Sequence, residues 1–401
     1  MRRSDWVNAM RVGLKAVPVV AVGLALLLWA GAVQAGESLR VGASYPTSGG
    51  VAEAASYTVE GIKMAVEEIN GKGGVAVGGK NLPIELFLYD SKCDPTIGVA
   101  NAEKMITRDQ VAAITGDFCS SVTLAQKEVS GRAKVLQVTP IAVAPKITEP
   151  GYPYMFRTCN TIDMYAAPVV EFMAAKLPQV KALGILAATD DYGRGAVNIY
   201  TQLLANAGVK LVGTEYFKHG DTDFYTQITK LTAAKPDGVY IVTNEDAQNI
   251  GILKQLKELG YKGVLFGAST YNTDNMIKLG GKELLEGLYM EGPVFELVKD
   301  TPAVKEWLAR YAKKYGREGN NFSILGYQSI GLLADVFKQA NTLTDRDKIR
   351  QVMAKADLRR AMIGYSGDPQ FDENGQVHPY MGVTQYQNGK RTAVYQQKGT
   401  K

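Results

Sequence analysis

Strand-like and helix-like runs take turns along this chain, and that alternation admits few architectures. Residues 39–44 form a short β-run, and residues 57–70 place Ile62, Ala65, Val66 and Ile69 on one helical face. After a Gly-rich turn at 71–79, residues 82–89 alternate, with Ile84, Leu86 and Leu88 on one side. Helix, strand, helix and strand are then predicted at 96–108, 111–115, 121–130 and 135–138. Pro140, Pro145, Pro150 and Pro153 interrupt the series and mark a linker or crossing point. A second series begins near Val180, with strands at 182–187, 210–217, 238–242 and 264–267. Its helices fall at 192–207, 224–234 and 247–259, the first and last stopped by Gly208 and Gly260. Strands separated by helices of about 10–15 residues predict parallel sheets with right-handed crossovers. Helices are expected at 302–315, 322–340 and 345–356, and a hairpin at 385–395 turning on Asn388-Gly389. The expected fold class is α/β, in two lobes.

The first 35 residues read as a leader rather than as part of that fold. Arg2, Arg3, Arg11 and Lys15 make a basic start, residues 16–30 are largely apolar, and Ala-Val-Gln-Ala at 32–35 offers a small-x-small cleavage site. The apolar run is too short for a membrane anchor, and no cysteine follows Ala35 to carry a lipid. Met10 is an alternative start. An exported, periplasmic chain with its signal peptide cleaved after about Ala35 is expected. No later segment approaches the roughly 18 consecutive apolar residues of a membrane span, so no membrane insertion is expected.

The formal charge is +5, and the leader holds four of the basic residues against Asp5. The chain beyond the leader is close to neutral, which excludes the clustered basic surface of a nucleic-acid binder. Only His219 and His378 are available to a histidine metal site or a Ser-His-Asp triad, and they stand far apart. No metal or cofactor is expected. Cys93, Cys119 and Cys159 belong to an oxidising compartment, where a pair is expected to be bridged. Cys93 and Cys119 each follow a strand-like run, and neighbouring parallel strands would bring those two loops to one sheet edge. The expected bridge is Cys93–Cys119, with Cys159 free and buried; three unpaired thiols is the alternative. No CxxC spacing supports a metal site.

The phosphate-binding motifs fail on context. Residues 71–76 fit GxGxxA and residues 74–81 approach a P-loop, but Asn81 stands where Ser or Thr is needed. Both motifs require strand, loop, then helix, and here a helix precedes and a strand comes after. Residues 364–367 lack GxSxG spacing, and Asp372, Glu373 and Asn374 read as a solvated turn. Cys119-Ser120-Ser121 is more informative. A strand runs into a short loop and a helix starts at the serines, which aims unpaired N–H groups and hydroxyls at a ligand position for a carboxylate or other anion. The alternative is that Ser121 serves only as an N-cap.

At this point the chain resembles the periplasmic leucine/isoleucine/valine-binding protein family, the type I solute-binding proteins of ABC importers. The residues that carry the likeness are Leu39-Arg40-Val41-Gly42, Thr47-Ser48-Gly49, Gly61 and Ile69-Asn70-Gly71-Lys72-Gly73-Gly74. They continue with Tyr89-Asp90, Cys93-Asp94-Pro95, Gly116 before Cys119-Ser120-Ser121, and Thr139-Pro140. Phe156-Arg157-Thr158, Asp191-Tyr192-Gly193 and Phe371-Asp372-Glu373-Asn374-Gly375 complete the ordered set. The resemblance implies two Rossmann-like lobes with parallel sheets joined by three crossing strands, a cleft between them, and the same Cys93–Cys119 bridge. On that pattern residues 36–158 with 291–372 form lobe 1, and 159–290 with 373–401 form lobe 2.

The family's site carries over position by position. Ser120 and Ser121 would donate to a carboxylate, and Ile141 and Val143 would offer main-chain groups. Tyr192 would close over the ligand from the second lobe, with Asn244 or Glu245 at the next strand end and Ser269 and Tyr271 after the strand ending at Gly267. Phe322 would pack on the ligand's apolar part. The chain departs from the amino-acid binders at three positions: Val143 aligns with a Thr and Ser269 with an acid, both of which hold the ligand's ammonium, and Ala54 aligns with an aromatic. Glu245 or Asp246 could replace the missing acid. The resemblance thus implies a small-molecule solute, a hydrophobic amino acid by lineage or an amine-free carboxylic acid, such as an aromatic one, by site residues. It further implies capture by hinge closure and delivery to an inner-membrane ABC permease, with no enzymatic activity and a monomer expected. The alternatives are a ligand sensor of the same fold and a secreted hydrolase using Ser120.

Overall fold

The computed structural model describes residues 37–268, 273–292, 295 and 298–397. The leader expected at 1–35, and Ser269 and Tyr271, lie outside the described residues. Two sheets organise the rest. The first contains β1 (Leu39–Tyr45), β4 (Ile84–Asp90), β5 (Ala113–Gly116), β6 (Leu136–Thr139) and β7 (Met155–Arg157) in the order β4-β1-β5-β6-β7. Every pairing in it is parallel. The second contains β8 (Ala182–Ala188), β9 (Lys210–Phe217), β10 (Gly238–Val242), β11 (Val264–Gly267), β12 (Tyr289–Gly292), β13 (Gly382–Gln387) and β14 (Lys390–Gln396), in the order β14-β13-β12-β11-β10-β8-β9. It is parallel from β9 to β12 and antiparallel across β13 and β14.

Helices cover both sheets, which is why the central strands are apolar on both faces rather than alternating. All of β5, β6 and β10 is buried. Each sheet has its own core: Trp307, Tyr311 and Phe337 lie with the first, and Tyr200, Tyr240 and Phe266 with the second. The helices Ala52–Gly71 and Asn321–Ala340 pack closely in the first core. A Cβ on Gly61 would meet the Ser323 carbonyl oxygen at 1.9 Å, and one on Gly326 would meet that of Thr58 at 2.3 Å. Two glycines thus set the distance between these helices. The Asn388-Gly389 hairpin forms as expected, with φ of 52° and 77° at the two turn residues.

Some elements differ from the sequence reading. The Gly-rich stretch expected as a turn holds a small hairpin, β2 (Val75–Val77) with β3 (Lys80–Leu82). The first helix begins at Ala52 rather than 57. The helix Ile162–Lys176 was not predicted; it carries Pro168 in its interior, a residue that reads as a breaker. Strands β7 and β12 are too short to show a period in sequence.

Three passages connect the sheets. The chain leaves the first after β7, returns after β12, with Phe295 in the first core, and crosses back between Val377 of the first core and Met381 of the second. Fully buried Arg157, where the first passage starts, ties it to the third. Its Nε donates to Gln376 Oε1, Nη1 to the Ala144 carbonyl at 2.7 Å and Nη2 to Thr148 Oγ1 at 2.8 Å. Burial lowers its pKa to about 10, still charged at neutral pH. Among the described residues no helix is long and apolar enough to cross a membrane.

Candidate functional site

A pocket of about 360 Å³, its mouth included, opens where strand ends of the two sheets face each other. Phe118, Ser120, Pro140, Ile141 and Val143 come from the loops after β5 and β6. Tyr192 and Asn244 come from the ends of β8 and β10, and Asn321, Phe322 and Leu325 from the first turns of Asn321–Ala340. Cys159 and Tyr165 complete the lining. Carboxyl ends of parallel strands are where open α/β sheets leave room for ligands.

The loop after β5 is built from its disulfide. Cys93 and Cys119 are bridged, with their Cα atoms 5.6 Å apart, and Cys159 is free and buried. The Cys119 N–H donates to Asp117 Oδ1 at 2.9 Å. Burial pushes the Asp117 carboxyl up to about 7, although that N–H bond favours its charged form. Held extended in this way, Cys119 is itself the N-cap of the helix Ser120–Arg132 and gives no side-chain capping bond. The helix therefore starts one residue before the expected point. Ser121 is its second residue, not an N-cap, and does not line the pocket.

Ser120 Oγ accepts the Ala144 N–H at 3.2 Å, which leaves its O–H free to donate into the pocket. The first-turn N–H groups of this helix have no intrahelical acceptor, and the helix dipole favours an anion beside them. The Val143 carbonyl accepts the Ile162 N–H at 3.1 Å, which leaves the Val143 N–H and the main-chain groups of Ile141 as the ones able to face a ligand. The Asn244 side chain is buried and bonds nothing among the described residues. Phe322 stacks edge-on against Phe118 at 5.3 Å between centroids. The Cys159 thiol is pushed up to about 12 by burial, which makes it a poor nucleophile.

The two candidate acids are employed elsewhere. Glu245 Oε1 pairs with His219 Nδ1 at 2.9 Å, and its Oε2 accepts the Gly220 N–H at 3.3 Å. His219 Nε2 reaches Asp190 Oδ2 at 3.0 Å. Hydrogen bonds to Asp190 and Glu245 outweigh desolvation and raise the imidazolium to about 10. Asp246 Oδ2 accepts from Asn275 Nδ2 at 2.8 Å. Neither acid lines the pocket, and neither do His219 and His378, so among the described residues no lining side chain offers Ser120 a base. Instead Glu245 lies at the rim, beside Gly50 of the first lobe.

Among the expected site residues, the pocket gathers Ser120, Ile141, Val143, Tyr192, Asn244 and Phe322 and leaves out Ser121 and Glu245. Phe118, Pro140, Cys159, Tyr165, Asn321 and Leu325 also line it, and sequence reasoning gave them no such role. Phe118 precedes Cys119-Ser120 and Asn321 precedes Phe322, so adjacency was the one local signal available. No group of three or more His, Cys, Asp or Glu residues that could hold a metal ion occurs among the described residues.

A family model described as periplasmic binding protein matches residues 38–391. The leucine-, isoleucine-, valine-, threonine-, and alanine-binding protein of Pseudomonas aeruginosa is 26% identical over 368 residues, covering 92% of this chain and 95% of that protein. The solved leucine binding protein LivK of Thermotoga maritima is 26% identical with a TM-score of 0.78, covering 88% of this chain and 97% of that one. LivJ of Streptococcus pneumoniae, a branched-chain amino acid transporter substrate binding protein solved in complex with isoleucine, has the same fold at 23% identity, with a TM-score of 0.78 over 90% of this chain and 100% of its own.

Proposed function

This chain belongs to the periplasmic binding protein family, and we propose that it captures a small amine-free carboxylate with an aromatic body and delivers it to an ABC permease. One observation carries the choice of ligand: donors to an anion line the pocket, and among the described residues no acidic side chain does. The carboxylate takes the Ser120 hydroxyl and the free N–H groups of the first helical turn. Phe118, Phe322, Tyr165 and Tyr192 surround the apolar body. An ammonium in the same place would be a buried charge without a carboxylate partner, which costs several kcal/mol.

Capture proceeds by closure. Ser120 and Phe322 bind from the first lobe, and Tyr192 and Asn244 come down from the second. The ligand drives this only through contacts it makes better in the closed state than in the open one. Exported as its leader suggests, the protein acts outside the cytoplasmic membrane and carries out no chemistry on its solute.

The amino-acid reading is favoured by the names of relatives such as the P. aeruginosa protein. A thermal-shift panel separates the two. The mature protein, unfolded and refolded to strip it, is heated with benzoate, 4-hydroxybenzoate, leucine, isoleucine and urea. A ligand at about 100 times its dissociation constant stabilises by roughly 2.7 kcal/mol. Shifts with the aromatic acids alone are the expected result. A shift with leucine or isoleucine and none with the acids overturns it.

A further inference from the structure

A second cavity, about 400 Å³ with its mouth included, adjoins the first and shares Asn321 and Leu325 with it. Its walls include residues from all three passages between the sheets. Thr158 and Asn160 belong to the first, Phe295 and Val298 to the second, and Pro379 to the third. Apolar side chains, among them Ile324 and Met362, make up much of the remainder, and among the described residues no charged side chain lines it.

Its polar atoms stand unusually bare. Thr158 Oγ1, Asn160 Nδ2, Gln328 Oε1 and Tyr365 Oη are buried without a hydrogen-bond partner, the first three in residues only 2%, 4% and 5% exposed. Gln328 Nε2 donates to the Ile363 carbonyl, and this bond leaves its oxygen as the orphan. A buried polar group without a partner costs about 1–3 kcal/mol, and few native groups are left so. Four around one cavity call for an occupant. The set comprises an acceptor at Gln328, a donor at Asn160, and hydroxyls at Thr158 and Tyr365 that can do either. A carboxamide matches it: its N–H groups donate to Gln328 Oε1, and its carbonyl accepts from Asn160 Nδ2 and the Thr158 hydroxyl. The described walls are uncharged and largely apolar, which suits a neutral occupant with an apolar part.

We propose that this cavity is a second binding site, distinct from the solute pocket, for a small neutral carboxamide with an apolar substituent. An occupant there touches every segment that must bend when the lobes move, so it biases closure and hence solute affinity. The site does not depend on which solute the first pocket takes.

Isovaleramide is the probe, titrated into the mature protein by ligand-observed NMR up to the millimolar range. Saturable binding is expected in the wild type and in Ser120→Ala. A weakening of about tenfold or more is expected in Gln328→Leu, which removes the acceptor together with the amide that donates to Ile363, and in Thr158→Val, which deletes the hydroxyl alone. Thr158→Val preserves shape and reads the site should Gln328→Leu fail to fold. Absence of saturable binding, wild-type binding in the variants that fold, or loss of binding in Ser120→Ala overturns the proposal and leaves the cavity to ordered water. Benzoate titration of the same variants reports on the first pocket separately.

Discussion

Closure can be obstructed with a single methyl group. Gly50 lies in the loop after β1, outside the left-handed region, so alanine adopts its backbone without strain. The added Cβ would stand 2.6 Å from Glu245 Cδ, 2.8 Å from Oε1 and 2.9 Å from Oε2. Glu245 cannot retreat freely, because His219 and the Gly220 N–H hold its carboxylate. Displacing it forfeits a charge-assisted hydrogen bond of about 1.5–3 kcal/mol, or roughly ten- to a hundredfold in affinity. The cost falls on the closed state alone, since separated lobes relieve the clash. Gly50→Ala is therefore expected to melt like the wild type without ligand. In calorimetric titration with the acid giving the largest thermal shift, it should bind ten- to a hundredfold more weakly. Glu245→Ala removes the obstacle, so adding Gly50→Ala to that variant should cost nothing further. Equal losses in both backgrounds, or wild-type affinity in Gly50→Ala, would refute the reasoning.

Ser120→Ala should weaken binding of an aromatic acid by about 1–3 kcal/mol, the value of a buried hydrogen bond to a charged group; unchanged affinity by calorimetry would move the carboxylate elsewhere. Replacing both Cys93 and Cys119 by Ser opens a bridge spanning 26 residues, and denaturant unfolding should show a loss of about 3.5 kcal/mol on the chain-entropy account. His219 has its pKa raised from 6.5 to about 10. The stability it lends is complete below about pH 6.5 and is lost as pH rises through about 10, by an amount reduced by solvent screening of its partly exposed ring. Between pH 7 and 10 the wild-type melting temperature should fall more steeply than that of His219→Gln, and parallel curves would count against the pairing. Gly61→Ala drives a Cβ into the Ser323 carbonyl, and overpacking of this kind should cost about 1–3 kcal/mol in unfolding experiments.

Much of the architecture was legible because its signals are local. Strands β1, β5, β8 and β10 are buried almost throughout, and their apolar runs follow from burial by helices, whereas edge strand β4 is partly exposed. The amphipathic helices declare themselves by period, and the Asn388-Gly389 turn by its chemistry. The helix Ile162–Lys176 was hidden by Pro168, and β7 and β12 by their brevity. The disulfide was anticipated because both cysteines follow parallel strands ending at one sheet edge, although β4 and β5 are not the neighbours expected but flank β1.

The site divides along the same line. By itself the sequence determined an α/β chain in two series, a serine-bearing helix start at a strand end, and a resemblance that names the family. Only the tertiary structure decided that Ser120 lines the pocket while Ser121 does not, because the Asp117 contact and the disulfide hold Cys119 extended and start the helix one residue early. Only it decided what Glu245 and Asp246 do, because their partners His219 and Asn275 lie 26 and 29 residues away. Spacing tells which residues share a strand end. Which hydrogen bond a carboxylate makes is settled by competition among groups that meet only when the chain folds.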